Sequence, residues 1–348
     1  MRIIHITFSL NNAGKENMLV DMANEQQFLG HKIAIIVINE SLEPSIVNRI
    51  NENICLFRLD RKNRSKNLLH VIKLIKIFNI KFKADIIHSH DPQLGFLLKC
   101  SSFIPVLLTI HGPAFDTSQM KYYKKLIAIS GAVKKDVESR SRNKCEIIYN
   151  GIKINSIKTR SEIFVPKDFN VILVGRLDTL VKGQDLLVKA AHHLVITKGL
   201  KNIKFFIVGE GSSRKSLEEL IVSLELEGYI FLLGNKDREW IYGNLHNYDL
   251  FIQPSRMEGF GLTVAEAMAA KVPVIATDIE GPAEILEYGK HGILFENNNS
   301  EDLALSIEQA IHLYETGEIV KIIDSAYNHC LSNFNIIRTA EEYCKAYL

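Results

Sequence analysis

Thirteen short runs rich in Ile, Val, Leu and Phe recur along this chain, and helical or polar stretches separate them. In the first half they are Ile3–Phe8, Ile33–Ile38, Ile54–Leu59, Asp85–His88, Val106–Ile110, Leu126–Ile129 and Glu146–Ile148. The second half restarts with Val171–Val174, Lys204–Val208, Ile230–Leu233, Leu250–Gln253, Val274–Ala276 and Gly292–Leu294. Met18–Leu29 and Leu68–Phe78 carry apolar residues at helical spacing. Strands that alternate with helices cannot pair through tight hairpins, so the pattern predicts parallel sheets covered by helices on both faces. Between the two series lies Asn150–Lys167, polar and punctuated by Gly151 and Pro166, which reads as a hinge linker. A chain of 348 residues exceeds one comfortable core. The expected fold is therefore α/β: two Rossmann-like doubly wound domains facing each other across a cleft, with ligands at the C-terminal edges of both sheets.

Composition narrows the function. With 47% hydrophobic and 24% charged residues the chain is typical of a soluble globular protein. No apolar run approaches the ~18–20 residues that span a bilayer, and Met1–Phe8 lacks the features of a signal peptide. Cys55, Cys100, Cys145, Cys330 and Cys344 are scattered, with no CxxC pair, which argues for reduced thiols, a cytoplasmic location and no zinc site. The net charge of +2 hides an asymmetry: residues 1–165 hold 25 Lys+Arg against 14 Asp+Glu, the remainder 17 against 26. Arg58 to Lys83 alone carries nine cations and one acid, around an apolar helical stripe of Leu68, Leu69, Ile72, Leu74, Ile75 and Phe78. Such a stripe usually packs on a sheet. The excess charge, with Lys121-Tyr-Tyr-Lys-Lys125 in the same half, favours a peripheral position on an anionic membrane surface. No base-stacking motif accompanies the cations, so nucleic acid is not expected as a partner.

The richest chemistry lies between Asp249 and Phe295. Glu258 and Glu266 stand eight residues apart, joined by Gly259-Phe260-Gly261-Leu262 and the start of a helix. The strand before them places Pro254–Leu262 on the loop leaving its C-terminal end, and Thr263 can cap the following helix. Glycines at 259 and 261 let the backbone approach a ligand, and helix-start N–H groups suit an anion. Together these features suit a polyhydroxylated, phosphorylated ligand. The structural alternative is a capping box from Thr263 to Glu266, with Glu258 an ordinary solvated acid.

Arg176 and Lys182 form a second set, on the loop after Val171–Val174, where a guanidinium fork and a point charge suit a diphosphate. Without such a ligand they are plain surface cations. Gly209-Glu-Gly211 lacks the third glycine of a dinucleotide fingerprint, which disfavours a nicotinamide enzyme; the glycines serve close backbone approach or helix packing. His88 and His90 alternate on one strand, but no further ligands complete a metal set. His111 ends a strand before Gly112-Pro113 and should project into the crevice, as a structural histidine or a ligand contact.

Asp249-Leu-Phe-Ile-Gln-Pro-Ser, the Glu258/Glu266 pair, Ala267-Met-Ala, Pro273-Val-Ile-Ala-Thr and Gly281-Pro-Ala-Glu-Ile together resemble the retaining glycosyltransferases of family 4, which have the GT-B fold. The resemblance extends through Asn12-Ala-Gly14, Gly30-His31-Lys32, Asp85-Ile-Ile-His-Ser-His90, Thr109-Ile-His111-Gly112, Ala128-Ile-Ser130 and Ile148-Tyr-Asn-Gly-Ile152. It departs where the family has paired glycines, at Asn11–Gly14, and in the short stretch from His111 to Ile127. It implies an N-terminal acceptor-side domain at 1–158, a nucleotide-sugar domain at 159–332, and a helix at 333–348 packing back toward the first. It also implies roles. Gly14 lies near the donor phosphates, Arg176 and Lys182 hold the diphosphate, and Glu266 takes the ribose hydroxyls. Glu258 and His111 contact the transferred sugar, assisted by N–H groups of Gly259–Leu262. The implied enzyme is a hexosyl- or N-acetylhexosaminyl-transferase that uses a nucleotide-diphosphate sugar, with no cofactor and no required metal. Its acceptor is a glycan or lipid-linked glycan of the lipopolysaccharide, O-antigen or capsule type, met at the cytoplasmic face of the inner membrane. The rivals are a GT-B epimerase or hydrolase and a non-catalytic nucleotide-sugar-binding protein.

Overall fold

The computed structural model describes residues 1–11, 13–62, 69–112 and 116–348. Each of the thirteen predicted runs is a strand, with ends displaced by two residues at most. The first sheet contains β1 (Arg2–Thr7), β2 (Lys32–Asn39), β3 (Cys55–Arg61), β4 (Ile86–Ser89), β5 (Val106–Ile110), β6 (Lys125–Ala128) and β7 (Glu146–Ile147), in the order β3-β2-β1-β4-β5-β6-β7. The second contains β8 (Phe169–Val174), β9 (Ile203–Val208), β10 (Ile230–Gly234), β11 (Leu250–Gln253), β12 (Val274–Thr277) and β13 (Ile293–Phe295), ordered β10-β9-β8-β11-β12-β13. All pairings are parallel. Both sheets are doubly wound: strand order reverses between β1 and β4 in one and between β8 and β11 in the other. Parallel strands buried on both faces read as nearly continuous apolar runs, as β5 (VLLTI) and β11 (LFIQ) do.

Two compact units result, Met1–Ile152 with Phe334–Leu348, and Lys153–Asn333. In the first, the helix Ile336–Ala346 joins the core through Ile336, Ala340 and Tyr343, beside Ile3, Met18 and Leu19. Its start is sewn to the end of the preceding segment, Ile152 N–H donating to Phe334 O (2.8 Å) and Ile336 N–H to Ile152 O (3.0 Å). In the second, Leu186, Leu187 and Ala190 pack with Val171, Phe205 and Ile252. The segment read as a hinge is held to this unit over its later part. Lys158 N–H donates to Tyr242 O (2.9 Å), Arg160 N–H donates to Ala270 O (3.0 Å), and the Arg160 guanidinium pairs with Asp249 (2.7 Å).

The basic helix packs inward along only part of its apolar stripe. Leu68, Arg64 and Lys66 lie outside the described residues; Leu69–Lys76 is α-helical and continues as a π-turn over Ile77–Lys81. Leu74, Ile77 and Phe78 are buried, but Leu69 (64%), Ile72 (60%) and Ile75 (39%) are exposed, as is Ile80 (64%). The stripe is too wide for one buried face, so only its Leu74–Phe78 side packs inward. Among the described residues no helix is long and apolar enough to cross a membrane, and the five cysteines are free.

Candidate functional site

In the second unit the loops leaving β8 and β11 meet. Lys182 ends a short helix, Thr179–Lys182, and its Nζ lies 2.5 Å from Glu258 Oε2. Gln253, the last residue of β11, donates from Nε2 to the same carboxylate oxygen (3.2 Å) and to Ser255 Oγ (2.7 Å). Arg256 binds the two loops together. It grips Asp185 in a bidentate pair (2.7 and 2.8 Å) and reaches Thr179 O, while its N–H donates to Val181 O (2.8 Å). Burial works to raise the Asp185 pKa, and the Arg256 fork overrides it, leaving the carboxyl below its ordinary value. Gly183 follows Lys182 at φ +67°, and a Cβ there would stand 1.9 Å from Pro254 O. Only glycine allows this approach, and the approach brings the cation to the carboxylate.

Glu258, Gly259 and Leu262 are partly exposed, whereas Phe260 and Gly261 are buried. Gly281 abuts the Glu258 backbone from the next helix; a Cβ would come 2.5 Å from Glu258 O. The helix Leu262–Ala269 begins with Gly261 as its cap, at φ +106°. Thr263 is therefore not the cap. It lies inside the first turn and donates to Gln253 Oε1 (2.9 Å), so the Thr263–Glu266 capping box is not adopted. Glu266 is buried, with Oε1 3.9 Å from Arg238 Nη2, and the Arg238 guanidinium lies 4.7 Å from the centre of the Tyr242 ring. Arg176 stands apart from the Lys182–Glu258 pair: two-thirds exposed, it reaches Asp178 (3.0 Å). Gly209 and Gly211 serve loop packing. Cβ atoms there would fall 2.0 Å from Gly175 O and 2.3 Å from Leu177 O, on the very loop that carries Arg176.

The first unit holds the other two predicted residues. Gly14 is exposed at the start of the helix Gly14–Phe28, and Asn12 and Pro113 lie outside the described residues. Lys15, next to Gly14, pairs with Asp91 (2.8 Å), which also accepts from Thr7 Oγ1 (2.8 Å) and Phe8 N–H (2.8 Å). His111 follows β5, half-buried, and its Nε2 lies 3.0 Å from His90 Nδ1. Burial first, then the Lys15 charge, pushes the His111 pKa down to about 3. Sequence reading assigned no site role to Lys15, Asp91, Gln253, Asp185, Arg256 or Arg238. Gln253 lies in the quoted Asp249–Ser255 run, but its contact with Glu258, like the contacts of the others, joins residues that the sequence alone does not pair.

Among the described residues two groups bring three metal-ligating side chains together, His5/His88/His90 and Glu287/His291/His329. Both contain stacked imidazoles: His88 on His90 at 4.3 Å with planes 27° apart, and His291 on His329 at 4.2 Å with planes 20° apart. Ring lone pairs lie in the ring plane, so stacked rings point them side by side rather than at one ion. Both ring nitrogens of His5, His88 and His90 also have protein partners.

Comparison with known proteins places these loops in context. The family described as "Glycosyl transferases group 1" matches residues 156–327, and "Glycosyltransferase Family 4" matches residues 13–156. An uncharacterized glycosyltransferase of Methanocaldococcus jannaschii is 28% identical over 280 residues, covering 75% of this chain and 76% of its own. The poly(ribitol-phosphate) alpha-N-acetylglucosaminyltransferase of Staphylococcus aureus is 35% identical over 173 residues, 47% of this chain and 34% of its own. The crystal structure of Anabaena HepE in complex with UDP and glucose superposes with a TM-score of 0.82 at 21% identity, covering 99% of both chains.

Proposed function

This chain belongs to the group 1, family 4 glycosyltransferases and has their GT-B fold, and on that premise we propose that it moves a sugar, with retention of configuration, from a nucleotide-diphosphate sugar to a growing cell-surface glycan. The transferred group is a hexosyl or N-acetylhexosaminyl unit, the acceptor is of the lipopolysaccharide, O-antigen or capsule type, and no metal is required. The observation that carries this reading is the Lys182–Glu258 pair. Without ligand each group neutralises the other. When donor binds, the ammonium passes to the diphosphate and the carboxylate to sugar hydroxyls. Arg176 is the second diphosphate cation and Glu266 holds the ribose hydroxyls. N–H groups of Gly259–Leu262 assist, while Gly14 lies near the phosphates and His111 contacts the sugar. As the glycosidic C–O bond breaks, charge grows on the leaving diphosphate. Its stabilisation by Arg176 and Lys182 is the main catalytic term, and the acceptor hydroxyl enters from the leaving-group face. By their names the S. aureus relative transfers N-acetylglucosamine to poly(ribitol-phosphate) and the Anabaena protein was crystallised with UDP and glucose, both in keeping with this reading.

A thermal-shift screen of nucleotide sugars, followed by NMR of the product's anomeric centre in the presence of EDTA, tests it. A retained anomeric configuration with EDTA present is expected. An inverted product, or turnover abolished by EDTA, refutes it. Sugar release at full rate without acceptor would indicate an epimerase or hydrolase, and binding without turnover a sensor.

We further propose that the first unit sits on an anionic membrane at the cytoplasmic face of the inner membrane. The helices Leu69–Lys76 and Gly95–Ser101 pack on each other. They and their flanks expose Leu69, Ile72, Ile75, Ile80, Phe96 and Phe103. Lys73, Lys76, Lys99, Lys121 and Lys124 are exposed in the same unit, Lys121 lying 5.2 Å from the centre of the Tyr122 ring. Exposed large apolar residues interleaved with lysines are the signature of an interfacial surface, with apolar groups entering the headgroup region and ammonium groups meeting phosphate.

A further inference from the structure

The first unit gathers four imidazoles, with His5, His88 and His90 buried and His111 half-buried, and three of them stand in one hydrogen-bonded row. Gln26 Oε1 lies 2.8 Å from His5 Nε2, His5 Nδ1 lies 3.1 Å from His90 Nε2, and His90 Nδ1 lies 3.0 Å from His111 Nε2. Gln26 and His5 are fully buried and His90 is 1% exposed. The row depends on the sheet order. β1 pairs with β4 and β4 with β5, so His5 and the residues following β4 and β5 come side by side. A core that needed only packing would place aliphatic side chains here, because each buried polar atom costs free energy unless it is paired.

Burial holds all three rings neutral near pH 7: the pKa falls to about 4 for His5, to about 3 for His111, and well below the ordinary value for His90. A neutral imidazole has one N–H and one lone pair. Each ring therefore donates on one side and accepts on the other, and the whole row points one way. Gln26 sets the direction. Its carbonyl oxygen accepts from His5 Nε2–H, so His5 Nδ1 accepts from His90 Nε2–H, and His90 Nδ1 accepts from His111 Nε2–H.

The other end of the same amide supports this direction. Gln26 Nε2 donates to the Tyr347 hydroxyl (3.0 Å), leaving that O–H to donate to His88 Nδ1 (2.7 Å). His88 Nε2–H then donates to Thr109 Oγ1 (2.7 Å), and the Thr109 hydroxyl donates to the Tyr343 oxygen (2.8 Å). Turning the amide over would reverse every link in both branches and put an N–H on Nδ1 of His111.

We propose that Gln26, His5 and His90 are positioning residues that hold His111 as the Nε2–H tautomer, so that its Nδ1 presents a lone pair to a hydroxyl of the transferred sugar. The sugar contact rests on the reaction proposed above, whereas the tautomer is fixed by the fold of the first unit alone.

Long-range 1H–15N NMR of 15N-histidine-labelled protein at neutral pH reads the tautomers directly. The expected spectrum shows His5, His90 and His111 neutral and protonated on Nε2. In Gln26→Leu the row loses its anchor, and His111 should become a mixture of tautomers. Turnover should fall roughly fivefold to tenfold, the loss of about one hydrogen bond, with unchanged affinity for the bare nucleoside diphosphate. Gln26→Glu, which keeps an oxygen facing His5, should restore both the tautomer and the rate. A wild-type His111 protonated on Nδ1 overturns the proposal. So does a His111 tautomer indifferent to Gln26→Leu, and if that variant does not fold, the wild-type spectrum decides alone. A locked tautomer combined with a His111→Ala variant of normal turnover would leave the positioning row standing and remove the sugar contact.

Discussion

Replacing Glu258 by Gln should tighten the binding of a bare nucleoside diphosphate while slowing sugar transfer. In the ligand-free chain the Lys182 ammonium already has a partner, 2.5 Å away, and the two side chains are only 23% and 17% exposed. A diphosphate must break this pair before it can take the cation. Exposed ion pairs are worth up to ~1 kcal/mol, and this one is more sheltered than most. Removing the carboxylate's charge should therefore return about 1 kcal/mol to ligand binding, roughly a fivefold gain in affinity. Lys182→Ala acts in the opposite sense. It removes a charge-assisted hydrogen bond worth ~1.5–3 kcal/mol and leaves a carboxylate facing the phosphates, so affinity should drop roughly tenfold to a hundredfold. Arg176→Ala should fall about tenfold, without the rebound, because Arg176 pairs with Asp178 rather than Glu258. Calorimetric titration of the three variants with UDP, GDP and ADP at physiological salt separates these outcomes. If Glu258→Gln lost as much affinity as Lys182→Ala while both variants melted like the wild type, the pair would be structural and the exchange of partners on donor binding would be wrong.

Three further outcomes follow from the geometry. Gly183→Ala should lower stability by about 2 kcal/mol or more in a denaturant melt and weaken nucleotide binding, since its Cβ would meet Pro254 O and its φ is +67°; an unchanged midpoint would mean the two loops part freely. Leu69→Glu with Ile72→Glu should abolish sedimentation with anionic vesicles and leave the melting temperature unchanged, because both side chains are exposed; high salt and the set Lys73, Lys76, Lys121 and Lys124→Gln should also release the protein. Stability should be full above about pH 6.5 and decline as pH falls toward 4, since His5, His90 and His111 refuse in the fold the protons that they accept when unfolded; the slope is ~1.4 kcal/mol per pH unit for each such ring, and a flat profile from pH 7 to 5 would contradict the depressed values.

Much of this protein is legible without coordinates. Most strands were readable because a buried parallel strand is a local signal, four to eight mainly apolar residues between punctuating residues, and needs no knowledge of its neighbours; β7, two exposed residues, carries this signal least. The loops after β8 and β11 were readable for the same reason, since each follows a recognisable strand and carries Arg176 with Lys182, or Glu258 with Glu266. Thr263 misled because a Ser or Thr before an apolar stretch is the usual sign of a helix start; here Gly261, with a positive φ, starts the helix two residues earlier. For the Leu69–Phe78 stripe, periodicity tells which residues share a face but not what lies opposite it, so which of them pack inward was not legible.

Tertiary structure decided the partners. Lys182 finds Glu258 across 76 positions of chain, and the Gln26–His5–His90–His111 row draws on four separate segments. Both depend on strand order, β8 beside β11 and β1 beside β4. That order is chosen by the packing of whole helices and sheets, so no local window of sequence contains it. The amino-acid sequence determines which residues reach the strand edges; only the folded sheet determines which of them stand next to one another.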